Sequence, residues 1–295
     1  MITTPRRLVR PLFSLLTAGP LLAGLVACAE LPGRTPPTET TQSATETAGT
    51  STPASTSSTS TPERPLTPAE LARERVPETQ RAKVASLMVV GVDNYDDALW
   101  KLRQGVGGIF ITSWANPELL TTPGRNIVAL REAVGRPFSV SIDYEGGRVQ
   151  RHEHVIGARV SAREMAATMS PEQVEQYASE LGRSLRWHGV TVNFAPVLDV
   201  DAVGLDIVGD RAFSTDPQVA GDYGAAFARG LTAAGVTPVF KHFPGHGQAS
   251  GDTHLGLAVT PPIEQVIAHD LPPYVDALNG SHGAVMVGHM VVPGL

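Results

Sequence analysis

The chain has 295 residues, 42% of them hydrophobic, and 23 Lys and Arg against 29 Asp and Glu give a formal net charge of −6. That apolar content is enough for a sizeable core. A negative chain with no basic patch excludes nucleic acid and anionic lipid as charge-driven partners, and a lone cysteine, Cys28, excludes an internal disulfide.

Arg6, Arg7 and Arg10 precede an apolar run from Leu12 to Ala27, which is short for a membrane span but suits a secretory signal. The run ends in Leu25-Val26-Ala27-Cys28, which resembles the bacterial lipobox, where the cysteine is acylated and becomes the new N-terminus. Residues 1–28 are therefore expected to be a lipoprotein signal peptide, with Cys28 the lipidation site and the protein anchored to the outer side of the bacterial cell membrane. A buried or incidental thiol is the competing reading of Cys28, and the Arg6-Arg7 pair leaves twin-arginine export open beside the Sec route. Residues 29–66 are Thr, Ser, Pro, Ala and Glu with almost no large apolar side chains, so they cannot offset the entropy of ordering and read as a flexible tether.

Residues 67–295 are expected to form one domain. Thr67-Pro68-Ala69-Glu70 places an N-cap, a proline and a reciprocal capping acid together, so a helix should open there. Strands are expected at Val84 to Val90, Gly108 to Thr112, Phe138 to Ile142, Val190 to Ala195, Thr237 to Lys241 and Ala284 to His289. Ser170-Pro171-Glu172-Gln173 repeats the helix-start signal, and Val174, Tyr177, Ala178, Leu181 and Leu185 follow at helical spacing until Gly189. Alternating strands and helices of this kind predict a parallel α/β architecture. Charged and polar residues collect just after the strands: Asp143 and Glu145, Asp199 and Asp201, Lys241 and His242, then His289. Polar groups spread over several strand ends favour a (β/α)8 TIM-barrel type over an open doubly wound sheet, whose ligands gather at one crevice. Gly105, Gly107 and Gly108 lie before a strand rather than after one, so no phosphate-binding fingerprint is present.

The densest chemistry is in Lys241-His242-Phe243-Pro244-Gly245-His246-Gly247 and the seven residues that follow, up to Asp252 and His254. Upstream, Asp143-Tyr144-Glu145-Gly146-Gly147-Arg148-Val149-Gln150-Arg151 packs two acids and two arginines around a glycine pair. Paired acceptors and forked donors recognise sugar hydroxyls, yet alone this segment suits a surface salt-bridge cluster equally well. Together with Gly209-Asp210-Arg211-Ala212-Phe213, these stretches resemble bacterial exo-β-N-acetylglucosaminidases of glycoside hydrolase family 3, over roughly residue 80 to the last. The resemblance implies Asp143, Arg151, Arg211, Lys241 and His242 as sugar ligands, His254 as a histidine acid/base on a mobile loop and Asp252 as its orienting partner. It implies no cofactor and no metal. A histidine titrates near neutrality and an adjacent carboxylate stabilises its imidazolium, so the pair has the chemistry to protonate a leaving oxygen and later accept a proton from water. A surface histidine is the bland alternative for His254. A metal site built from His242, His246, Asp252, His254 and His289 reproduces no zinc spacing. The glycines at 245, 247 and 251 are expected to let the loop close over substrate.

The family is retaining and needs a carboxylate nucleophile, which the resemblance places at the end of a seventh strand. It is thus expected beyond Leu295, together with two barrel strands, and the chain as given is expected to be inactive. The complete product is expected to be a monomer that releases terminal β-N-acetylglucosamine from peptidoglycan fragments, with glycans and muropeptides as partners. A family 3 phosphorylase, a β-glucosidase and a non-catalytic muropeptide-binding lipoprotein are the alternatives.

Overall fold

The computed structural model describes residues 64–295. The signal segment, Cys28 and the first part of the tether lie outside the described residues. The chain enters at helix α1 (Pro68–Glu74), where the Thr67 backbone N–H donates to the Glu70 carboxylate at 2.8 Å and the Glu70 N–H returns a bond to the Thr67 hydroxyl at 3.3 Å. This is the reciprocal cap expected of the sequence.

Helix α2 (Gln80–Ser86) follows, and only then strand β1 (Val89–Val92). The strand expected at Val84 to Val90 is therefore the end of a helix joined to the start of a strand. Thr79 caps α2 through the Ala82 N–H, and the apolar run across Val84, Leu87, Met88 and Val89 carries no period that separates the two states. Helix α3 (Tyr95–Arg103) leads to β2 (Gly108–Ile111), and two short helices, α4 (Glu118–Thr121) and α5 (Ile127–Val134), lead to β3 (Ser139–Ile142).

A small antiparallel hairpin, β4 (Tyr144–Gly146) and β5 (Val149–Gln150), leaves the end of β3. It turns on Gly146 and Gly147, with φ of 98° and 56°, and a Cβ on Gly146 would come within 2.1 Å of the Val160 carbonyl oxygen. Helices α6 (Glu153–Ile156), α7 (Ala162–Thr168) and α8 (Pro171–Trp187) then return the chain to β6 (Val192–Asn193). Ser170 and Gln173 close a capping box on α8, which buries Val174, Ala178, Leu181 and Leu185 on the sheet side.

Helix α9 (Pro217–Ala233) leads to β7 (Thr237–Phe243), and helices α10 (Ile263–His269) and α11 (Pro272–Gly280) lead to β8 (Ala284–Val287). The parallel strands line up as β1-β2-β3-β6-β7-β8 in one curled sheet of the TIM-barrel type. Ile109, Ile111, Val140 and Ile142 from the sheet meet Leu102, Leu130, Leu181, Phe227 and Leu231 from the helices in a single apolar cluster. Parallel strands present their carboxyl ends on one side, so the residues just after them share one face. No described helix is long and apolar enough to cross a membrane.

Candidate active site

On that face lies a cavity of about 500 Å³. Its lining takes Phe110 from β2, Asp143, Glu145 and Arg151 from the segment after β3, Arg211 from the loop before α9, Lys241 and His242 from β7, and Asp252 and His254 from the following loop. Every side chain that the sequence singled out for sugar contact or proton transfer thus borders one volume, although they span more than a hundred residues of chain.

Lys241 is the cation at the floor. Its ammonium lies 2.9 Å from Asp143 Oδ1 and 2.6 Å from Glu145 Oε1. Arg211 grips the same Glu145 with two parallel bonds of 2.8 Å and donates a third, of 2.9 Å, to the Ile207 carbonyl. Such a fork-on-fork pair is geometrically demanding and fixes both partners. Burial pushes the Glu145 carboxyl up, but Lys241 and Arg211 outweigh it and hold its pKa at about 2. Arg151 completes the wall, its guanidinium 3.7 Å from Asp143 Oδ2 and its backbone N–H bonded to the Asp143 carbonyl at 3.1 Å.

His242 stands on a buried carboxylate. Its Nδ1 is 2.6 Å from Asp199 Oδ2, and Asp199 Oδ1 also accepts the backbone N–H groups of His242 at 3.1 Å and His246 at 2.8 Å. Burial works to raise the Asp199 pKa, but the His242 ring and these donors keep it below the ordinary range. The Lys241–His242 and Phe243–Pro244 peptides are cis. His246, only 4% exposed, also borders the cavity, and its Nε2 has no hydrogen-bond partner.

The glycines of this loop behave differently from the expectation. A Cβ on Gly247 would meet the Val200 carbonyl oxygen at 1.8 Å, and one on Gly245 would meet Asp270 Cβ at 2.4 Å. They permit close packing of the loop against its neighbours rather than motion. Gly251 alone of the three has open space around it.

Beyond Gly251 the chain reaches Asp252 and His254. The carboxylate Oδ1 of Asp252 accepts the His254 backbone N–H at 2.8 Å and lies 2.7 Å from its ring Nδ1. Those two bonds hold the Asp252 pKa below its ordinary value. The ring itself is 73% exposed, so His254 leans over the cavity instead of lying in the wall. With Nδ1 engaged by Asp252, Nε2 is the nitrogen left for proton exchange.

Two residues outside the expected ligand set prove central to the geometry. Glu145 holds Lys241 and Arg211 in place, and Asp199 holds His242 and the loop behind it. Both are acids just past a strand, which is the signal by which they were visible, but their burial could not be read from spacing. Asp201, by contrast, accepts from Arg163 at 3.2 Å and from the Leu205 N–H at 3.0 Å and does not border the cavity. Among the described residues no group of three or more His, Cys, Asp or Glu is placed to hold a metal ion.

Comparison with known proteins gives these features a setting. Residues 79–295 match the glycosyl hydrolase family 3 N-terminal domain. The beta-hexosaminidase LpqI of Mycobacterium tuberculosis is 44% identical over 218 residues, which make up 73% of this chain and 56% of that protein. A crystal structure of a family 3 glycosyl hydrolase from Mycobacterium smegmatis superposes with a TM-score of 0.71 at 46% identity, covering 75% of this chain and 67% of that one. A family 3 beta-N-acetylglucosaminidase from Paenibacillus gives a TM-score of 0.68 at 29% identity, covering 73% and 43%. The chain thus spans a little over half the length of the curated mycobacterial relative.

Proposed function

The chain belongs to glycosyl hydrolase family 3, and from that premise we propose that its cavity binds a terminal β-linked N-acetylglucosamine and, together with a carboxylate nucleophile, cleaves its glycosidic bond in a two-step retaining reaction. The observation that carries the reading is the Asp252–His254 pair at 2.7 Å, poised over a cavity whose floor is a balanced cluster of acids and bases. Protonated His254 gives its Nε2 proton to the glycosidic oxygen as a carboxylate nucleophile bonds the anomeric carbon and the bond from that carbon to the glycosidic oxygen breaks. The neutral ring then takes a proton from the water that attacks the same carbon and displaces that carboxylate. Asp252, kept ionised, stabilises the imidazolium that exists before the first transfer and forms again in the second.

Asp143, Arg151, Arg211, Lys241 and His242 fix the ring: carboxylate oxygens accept sugar hydroxyls, and the guanidinium, ammonium and imidazole groups donate to them. The covalent step needs a carboxylate that is free to attack. Among the described residues the carboxylates bordering the cavity are Asp143, Glu145, Asp199 and Asp252, and each is already bonded to a cationic or ring N–H partner. This commitment supports assigning the nucleophile to another residue, outside that set. The lipobox-like Cys28 and the Thr/Ser/Pro-rich stretch after it support a lipid-anchored position outside the cell, where peptidoglycan fragments would be within reach.

Saturation-transfer NMR with N-acetylglucosamine tests binding, and release of nitrophenol from nitrophenyl N-acetylglucosaminide tests turnover. The 295-residue chain is expected to bind the sugar and release no nitrophenol. Absence of saturation transfer contradicts the binding reading, and turnover contradicts the expected inactivity of this chain.

A further inference from the structure

The chain has three tryptophans, all exposed: Trp100 at 62%, Trp114 at 71% and Trp187 at 85%. Trp100 lies on α3 and Trp187 ends α8, both on helices outside the sheet, and neither ring N–H donates to a described acceptor. Trp114 differs in place and in support. It sits in the loop after β2, on the face that carries the cavity, four residues past Phe110, which borders that cavity.

The loop is held on both sides. The Trp114 indole N–H donates to Asp93 Oδ1 at 3.0 Å, the Asn116 N–H donates to the Asp93 carbonyl at 2.6 Å, and the intervening Ala115 is buried. On the other flank the Thr112 carbonyl bonds His152 Nε2 at 2.9 Å, and His152 directly follows Arg151 of the cavity wall. One edge of the indole is therefore tied down while its face stays in water. An aromatic ring already locked in place gives contact area without losing further side-chain freedom, which is what a weakly bound, flat-faced ligand requires.

We propose that Trp114, braced by Asp93, is a stacking platform for a second pyranose ring, the leaving-group sugar joined to the N-acetylglucosamine in the cavity. The proposal rests on the function proposed above and extends it by one sugar. The C–H face of a pyranose packs on the indole, so a disaccharide gains a contact that a monosaccharide lacks.

Replacing Trp100 and Trp187 by Phe leaves Trp114 as the only indole of the full chain, so its emission reports that face alone. N,N′-diacetylchitobiose is expected to shift the emission and to bind roughly five- to tenfold more tightly than N-acetylglucosamine. The monosaccharide is expected to give saturation transfer while leaving the emission unchanged, and Trp114→Ala to reduce disaccharide affinity to the monosaccharide level. Saturation transfer from both sugars with equal affinities and a silent indole overturns the platform and leaves the proposed function standing. Saturation transfer from neither overturns both.

Discussion

Glu145 shapes the cavity more than any residue a sugar would touch, because two cations depend on it. Removing its charge leaves Lys241 and Arg211 buried without their shared partner, and breaking a buried ion pair from one side costs about 3–5 kcal/mol. Glu145→Gln is expected to lower the unfolding free energy by about that amount in urea titrations. The pH dependence has a definite sign. Since its folded pKa is depressed, the stabilisation is complete above the unfolded carboxylate value of about 4.3 and is lost as pH falls toward about 2. The urea midpoint should therefore drop on acidification through that window, and the drop should be shallower in Glu145→Gln. His254→Ala removes only an exposed ring, so N-acetylglucosamine affinity should stay within about twofold, whereas Asp143→Asn should weaken it by about tenfold through a lost charged acceptor. Saturation-transfer titrations of the two variants check both.

The helices show where backbone contact outweighs propensity. Gly230 lies within α9, where Ala is favoured by about 0.5–1 kcal/mol in an exposed helix. Here a Cβ would meet the Glu175 carbonyl oxygen of α8 at 2.2 Å and Ala178 Cβ at 2.8 Å. Overpacking of this kind costs about 1–3 kcal/mol, so Gly230→Ala should lower the melting temperature instead of raising it. Differential scanning calorimetry decides the sign. The same elements show how much the sequence discloses. Helix α8 was legible from Ser170 to Gly189, because a capping box, a period of apolar residues and a terminal glycine all agree. The five later strands were found where Val, Ile and Phe cluster, although β6 pairs only over Val192–Asn193 before the Ala195–Pro196 bond. Strand β1 was misplaced because Val84 to Val90 is apolar without a period, and a cap at Thr79 decided the state. The hairpin β4–β5 went unseen because two- and three-residue strands leave no pattern. At the site, residue types announced Asp143, Lys241 and His242, but the burial that makes Glu145 and Asp199 structural anchors is a property of the folded sheet. The glycines of residues 245–247 were read as hinges because local sequence cannot reveal that Val200 and Asp270 press against them.

At the scale of the molecule, the sheet ends at β1 and β8, each with one described strand neighbour. Val287 is 68% exposed and Val89 47% exposed, so both edges present apolar side chains, and among the described residues neither outer edge has a strand paired to it. Edges of that kind promote association between copies. The purified chain should show concentration-dependent self-association by sedimentation, and Val287→Lys should reduce it. The same curled sheet brings the seven side chains expected from the sequence, Asp143, Arg151, Arg211, Lys241, His242, Asp252 and His254, to one cavity, and the proposed function rests on that convergence. The most direct measurement is a crystal of the 295-residue chain grown with N-acetylglucosamine. The account predicts the ring held by Asp143, Arg151 and Lys241, with the anomeric oxygen about 3 Å from His254 Nε2. A sugar bound elsewhere, or a His254 ring turned away from that oxygen with Asp252 released, would contradict it.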